Sequence, residues 1–150
     1  MQIKALVGAG DRIMGLTVPF AAAGLLANVL WPSFFRMGLG TGGTIAGVVL
    51  LAIGVPLWLT SVIQILRYVP EGKLITSGPF ALVLHPIYTS VALLVIPGFG
   101  LLLDSWLGFA FGIILYASAR LFAPGEERDL AARFPQDYPA YRKRVVLPWL

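Results

Sequence analysis

The sequence has no cysteine and a single histidine, His85. Without cysteine there is no disulfide framework, no thiolate metal site and no thiol nucleophile. One imidazole cannot build a multi-histidine zinc site. Charge is equally scarce: Asp, Glu, Lys and Arg make up 12% of the 150 residues, against roughly 25% in a soluble domain. What fills the space is apolar. Hydrophobic residues account for 58% of the chain and mean hydropathy is +0.85. A globule this small could not cover that much apolar surface, and a disordered chain would not carry it. The composition predicts one integral membrane domain over residues 1–150, all-α, with about four spans and a C-terminal amphipathic cap.

Four long stretches lack Asp, Glu, Lys and Arg, and they predict spans at Ile13–Leu30, Thr44–Leu66, Pro86–Leu103 and Ser105–Phe122. Trp31-Pro32-Ser33 closes the first, since Pro cannot continue a helix and restricts the residue before it. The glycines between Gly38 and Gly43 loosen the turn that follows. Pro19, Pro56 and Pro97-Gly98 are expected to kink their helices. Only Asp104 separates the last two spans, which predicts a tight antiparallel hairpin. Gly24, Gly47 and Gly54 read as points of close helix packing. The N-terminal apolar run is long and lacks a small-residue cleavage site, so it reads as a span and not a removable leader.

Four spans put both termini and the loop after the second span on one side. Ten of the eleven Lys and Arg residues fall there, leaving Arg36 opposite. The positive-inside rule makes that side cytoplasmic, and a prokaryotic inner membrane is the simplest setting. The same count disposes of nucleic acid as a partner: the net charge of +4 is what topology and anionic lipids require, and Arg142-Lys143-Arg144 reads in this way. No carboxylate lies within a span, which argues against ion-coupled transport.

Polar chemistry is confined to two segments. One runs from Glu71 through Thr76-Ser77-Gly78-Pro79, a turn signature, to His85-Pro86-Ile87-Tyr88. His85 falls at the expected N-cap of a helix that opens with Pro86, and Tyr88 lies one turn along on the same face. The other is the segment 123–150. Pro124-Gly125 is expected to break the fourth span, after which Glu126–Phe134 forms a short helix with Leu130 and Phe134 on one face. Pro135 stops it. Asp137 is expected to cap a final helix with Tyr138, Tyr141 and Val145 turned inward. The hairpin of the last two spans returns both segments to the same surface.

The run Leu74-Ile75-Thr76-Ser77-Gly78-Pro79-Phe80 followed by His85-Pro86-Ile87-Tyr88 is similar to the pattern LVTSGPY, four residues, then HPxY. The tail from Glu126 to Pro148 is similar to EE-x2-L-x3-FG-x2-Y-x2-Y-x3-V with a nearby Pro. Together they resemble the isoprenylcysteine carboxyl methyltransferase and phospholipid methyltransferase superfamily over roughly residues 60–148. The pattern commonly carries Arg at two positions occupied here by Ala81 and Leu84, and Gly at those of Ser90 and Pro135.

The resemblance implies S-adenosylmethionine as cofactor and a methyl acceptor that is lipophilic or membrane-partitioned. It places Lys73, Leu74, Ile75, Phe80, His85, Pro86, Ile87, Tyr88, Glu126 and Glu127 around the cofactor. A sulfonium suits aromatic faces and carboxylates, and a cofactor carboxylate suits a helix N-terminus. In-line methyl transfer needs positioning and dryness more than a metal or covalent nucleophile, so no metal is expected and no catalytic residue is assigned. A carboxylate or thiolate acceptor would be oriented by Arg120 or Arg144. Two alternatives stay open: a non-catalytic relative that binds lipid or serves as a small membrane subunit, and a relative of the NADPH-dependent sterol reductases.

Overall fold

The computed structural model describes residues 10–148, with side chains from residue 13 onward. Lys4 and the side chain of Arg12, both counted in the charge asymmetry, lie outside the described residues. The fold is all-helical, with no strand among the described residues. Its elements are α1 (Gly10–Leu30), α2 (Pro32–Phe35), α3 (Gly40–Tyr68), α4 (Pro79–Leu82) and α5 (Pro86–Ser90), then a π turn (Val91–Val95), α6 (Ile96–Leu102), α7 (Leu107–Arg133) and α8 (Asp137–Arg144). Three helices are long and apolar enough to cross a membrane: Ile13–Leu30 within α1, α3 and α7. The α5–π–α6 rod, Pro86–Leu102, is apolar but shorter.

That rod nevertheless runs the length of the bundle. Its start lies with the end of α3 around one cavity, while its end turns through Asp104 beside the start of α3, where Leu39 N donates to Asp104 Oδ1 at 3.2 Å. It packs against α3 on one side and α7 on the other, and α1 packs on α7. The irregularity expected at Pro97-Gly98 takes the form of the π turn just before it. Pro97 has no N–H to offer the preceding turn, and Ile96 N–H reaches back five residues to Val91 O.

The helices touch where side chains are absent. A Cβ on Gly112 would strike Ala92 O, and one on Gly54 would lie 2.6 Å from Leu94 Cβ. Gly47 and Gly24 make similar contacts with Gly98 O and the Phe111 ring. The buried residues Ile13, Ala92, Leu115 and Ala119 form the core between α1, the rod and α7. At the Asp104 end, Arg36 Nε lies 3.0 Å from Asp104 Oδ2 and Ser105 Oγ 3.1 Å from Asn28 Oδ1.

Two boundaries differ from the sequence expectation. The break at Pro124-Gly125 does not occur: α7 continues as one helix to Arg133. The reason is burial. Leu115, Ala119 and Ala123 are buried at helical spacing, and the same face continues through Glu126, Glu127 and Leu130 across the Pro-Gly pair. Packing on both sides outweighs the one hydrogen bond that Pro124 cannot make. Asp137 does not cap α8 either; Gln136 holds the N-cap position and Asp137 is the first helical residue, with no side-chain capping bond. There its charge still suits the helix dipole.

The segment after α7 is stitched onto the turn that carries His85. Tyr141 OH donates to Phe80 O at 2.8 Å, Val146 N to Ala81 O at 3.2 Å and Leu147 N to Leu82 O at 2.9 Å. Leu84, Tyr138, Tyr141 and Val145 form a second buried cluster, joined by Leu74, Leu130 and Phe134. The inward face of α8 is therefore as the spacing predicted.

Candidate functional site

Gly78 has φ +61° and ψ −135°, a conformation open to glycine and strained for other residues. It reverses the chain beside Gln64, whose Nε2 donates to Ser77 O at 3.4 Å. One short turn later, Pro86 starts α5 with its fixed φ, which leaves His85 in a non-helical conformation at the N-cap. The His85 side chain makes no capping bond. It is only 10% exposed and faces α7, with Nδ1 3.9 Å from Glu126 Oε2 and Nε2 3.6 Å from Glu127 Oε1. The unbroken α7 is what aims two consecutive carboxylates at one imidazole. Tyr88 stacks alongside, its ring centroid 6.2 Å from that of His85.

These contacts fall just outside hydrogen-bonding distance, and the site is rich in polar atoms without partners. His85 Nε2, Glu126 Oε2 and Tyr138 OH are all buried with no partner at hydrogen-bonding distance, and the longer approach of His85 and Tyr138 to Glu127 holds that carboxyl below its ordinary value. Buried polar groups are normally satisfied, and an exception calls for a ligand, an ion or a cost in stability. Burial pushes the Tyr138 phenol well above its ordinary value and Tyr141 up to about 12. Both remain protonated donors across the physiological range.

A cavity of about 320 Å³ opens against this cluster. Its wall comes from the end of α3 (Ile65, Val69), the following loop (Gly72 to Ile75), Phe80 and Leu84 to Tyr88, and from Glu126, Leu130, Arg133, Phe134, Tyr138 and Tyr141. Such a volume with a mostly apolar lining and a few convergent polar groups suits a small organic ligand. Glu127 turns the other way, into a second and more open cleft of about 800 Å³ lined also by Arg120, Arg142 and Lys143. Its Oε2 lies 3.1 Å from Arg142 Nε.

Nine of the ten residues expected around the cofactor thus line one cavity: Lys73, Leu74, Ile75, Phe80, His85, Pro86, Ile87, Tyr88 and Glu126. The tenth, Glu127, touches it only through His85. Lys73 is exposed and pairs with Glu71 at 2.7 Å, an arrangement that holds the Glu71 carboxyl below and the Lys73 amine above their ordinary values. Arg120 lines the second cleft, whereas Arg144 lines neither and donates from Nε to Ala140 O. Arg142, read from sequence as a lipid-facing charge, also pairs with Glu127. The sequence reading also missed Arg133, Tyr138 and Tyr141 as cavity residues. Their signal was present in the i, i+3 and i+4 spacing that continues from Glu126 to Phe134 and from Tyr138 to Arg142. Among the described residues no group of three or more Asp, Glu and His side chains is placed to hold a metal.

No protein-family model matches the chain, and no curated protein or solved structure matches it either. The functional reading therefore rests on the site's own chemistry and on the motifs that build it.

The two departures at basic positions have a structural counterpart. Leu84 is buried in the cluster beneath α8, where an Arg would be surrounded by apolar side chains, and Ala81 offers its carbonyl to the C-terminal segment. Two cations line the cavity: Lys73, which is paired with Glu71, and Arg133, delivered by the last turn of α7.

Proposed function

We propose that this chain is a membrane methyltransferase that uses S-adenosylmethionine and acts on a lipophilic or membrane-partitioned acceptor. It then belongs beside the isoprenylcysteine carboxyl methyltransferase and phospholipid methyltransferase superfamily. The observation that carries this reading is the juxtaposition of two distant motifs. The turn ending in His85-Pro86-Ile87-Tyr88 and Glu126 of α7 close on one cavity, where buried polar atoms lack partners.

In this reading the α5–π–α6 rod is a fourth span. At about 1.5 Å per residue its 17 residues reach about 25 Å, slightly short of a hydrocarbon core of about 30 Å. Local thinning of the bilayer accommodates such a mismatch at small cost. The end that bears α8, Arg67, Lys73 and the cluster of C-terminal basic residues faces the cytoplasm, and both termini lie there. The cavity is then at the interface, within reach of a soluble cofactor and a lipid-borne acceptor.

The residues present suit S-adenosylmethionine. His85 Nε2, Glu126 Oε2 and Tyr138 OH supply the unpaired donors and acceptors that its amine, carboxylate and ribose groups require. Tyr88, Phe80 and Phe134 offer aromatic faces near a cation, and Arg133 offers the counter-charge for a carboxylate. When bound, the cofactor supplies a methyl group on a sulfonium and leaves as a neutral thioether. The chain's part is to hold the two reactants in line and keep water out. The apolar cluster of Leu74, Leu84, Leu130 and Phe134 provides the dry wall. His85, between two carboxylates, is placed to take up a proton that an acceptor gives away.

Transfer of a labelled methyl group from S-adenosylmethionine into the organic-soluble fraction of membranes containing the protein tests this proposal. Incorporation that disappears in His85→Ala supports it. Equal incorporation in His85→Ala membranes overturns it, and saturable NADPH binding in place of methyl transfer selects a reductase.

A further inference from the structure

We infer that the second cleft is a binding site for the phosphate of an anionic membrane lipid. Three cations, Arg120 from α7 and Arg142 and Lys143 from α8, line it against one carboxylate, Glu127. The pair between Arg142 and Glu127 consumes one positive charge, and no ion pair engages Arg120 or Lys143 among the described residues. The cleft thus carries an uncompensated charge of about two units, delivered by two helices onto one concavity. Guanidinium and ammonium groups converging in this way suit a phosphate.

The apolar surface beside the cleft says what carries that phosphate. Phe109, Ile113, Ala117 and Leu121 follow each other at four-residue intervals on the outer face of α7, all exposed. Ile113 is 67% and Leu121 71% exposed. The stripe ends at Arg120 and Pro124, which are themselves walls of the cleft. An acyl chain laid along the stripe places its headgroup among Arg120, Arg142 and Lys143. A free phosphate would use the charges but leave the stripe idle. A lipid bound here also meets Glu127, whose other oxygen faces His85 at 3.6 Å. The lipid site stands on its own charges and does not require a cofactor in the neighbouring cavity.

Native mass spectrometry of the detergent-purified chain with equal phosphatidylglycerol and phosphatidylcholine reads this site. The protein is expected to retain phosphatidylglycerol over phosphatidylcholine by roughly tenfold, as two surface cations confer. Arg120→Gln with Lys143→Gln should bring the ratio close to one. Arg67→Gln with Arg128→Gln removes the same charge outside the cleft and should leave the ratio unchanged, and Arg120→Lys with Lys143→Arg should preserve it. No preference in the unmodified chain, or equal loss in both neutralised pairs, overturns the site. Binding of inorganic phosphate through Arg120 and Lys143 with no selection among lipids overturns the lipid as its source. S-Adenosylmethionine binding, measured on the same preparations, separates this result from the fate of the methyltransferase reading.

Discussion

At one end of the bundle, Arg36 reaches Asp104 at 3.0 Å, the Leu39 amide donates to the same carboxylate, and Ser105 meets Asn28. At the other end, His85 stands 3.6 and 3.9 Å from two carboxylates, and its Nε2, Glu126 Oε2 and Tyr138 OH are buried with no partner at hydrogen-bonding distance. The first joins the turn that precedes α7 to distant parts of the chain and the second joins α7 itself, but only the first is complete as it stands. A satisfied polar cluster stabilises a fold, whereas an unsatisfied one costs stability and calls for an explanation, of which a ligand is one. The scarcity of charge makes the contrast readable, because few other polar groups are available to either end.

Substitutions at the two ends should therefore separate stability from binding. The largest effect belongs to His85→Ala, which leaves Glu126 and Glu127 facing one another without the imidazole. S-Adenosylmethionine affinity measured by calorimetry should fall at least about tenfold, equivalent to about 1.4 kcal/mol. Glu126→Gln comes next: its binding loss should be several-fold, while its thermal midpoint stays level or rises, because Oε2 has no bond to lose. A clear drop in midpoint would show that Glu126 is structural. Tyr138→Phe removes another orphaned group and should follow the same pattern with a smaller loss of affinity.

Asp104→Asn should do the opposite, lowering the thermal midpoint modestly without changing cofactor affinity. Its pH dependence is fixed by the bond from Arg36, which holds the Asp104 carboxyl below its ordinary value near 3.8. A carboxyl depressed in the folded state contributes stability above its unfolded value and loses it as pH falls through the folded one. The difference between the native chain and Asp104→Asn should be full at pH 7 and vanish in strong acid. A difference that persists there would place the contribution in packing and not in charge.

Much of the site was legible because its positions are set by residues with few conformations. Pro86 fixes where α5 begins and hence where His85 stands, and Gly78-Pro79 fixes the turn before it. The three long apolar helices follow from composition and length. The Pro124-Gly125 pair misled for the converse reason: its local tendency to break a helix is real, but the apolar face of α7 continues through it and tertiary burial prevails. The pairing of Arg142 with Glu127 was hidden because the sequence places Arg142 in a basic run that topology alone would explain. Only the docking of α8 against α7 brings the two charges together.

Titration of the detergent-purified chain with S-adenosylmethionine tests the contrast between the two ends most directly. The account predicts saturable binding that is weakened by His85→Ala and Glu126→Gln and unchanged by Asp104→Asn. Folded protein that shows no saturable binding, or an equal loss in all three variants, would contradict it.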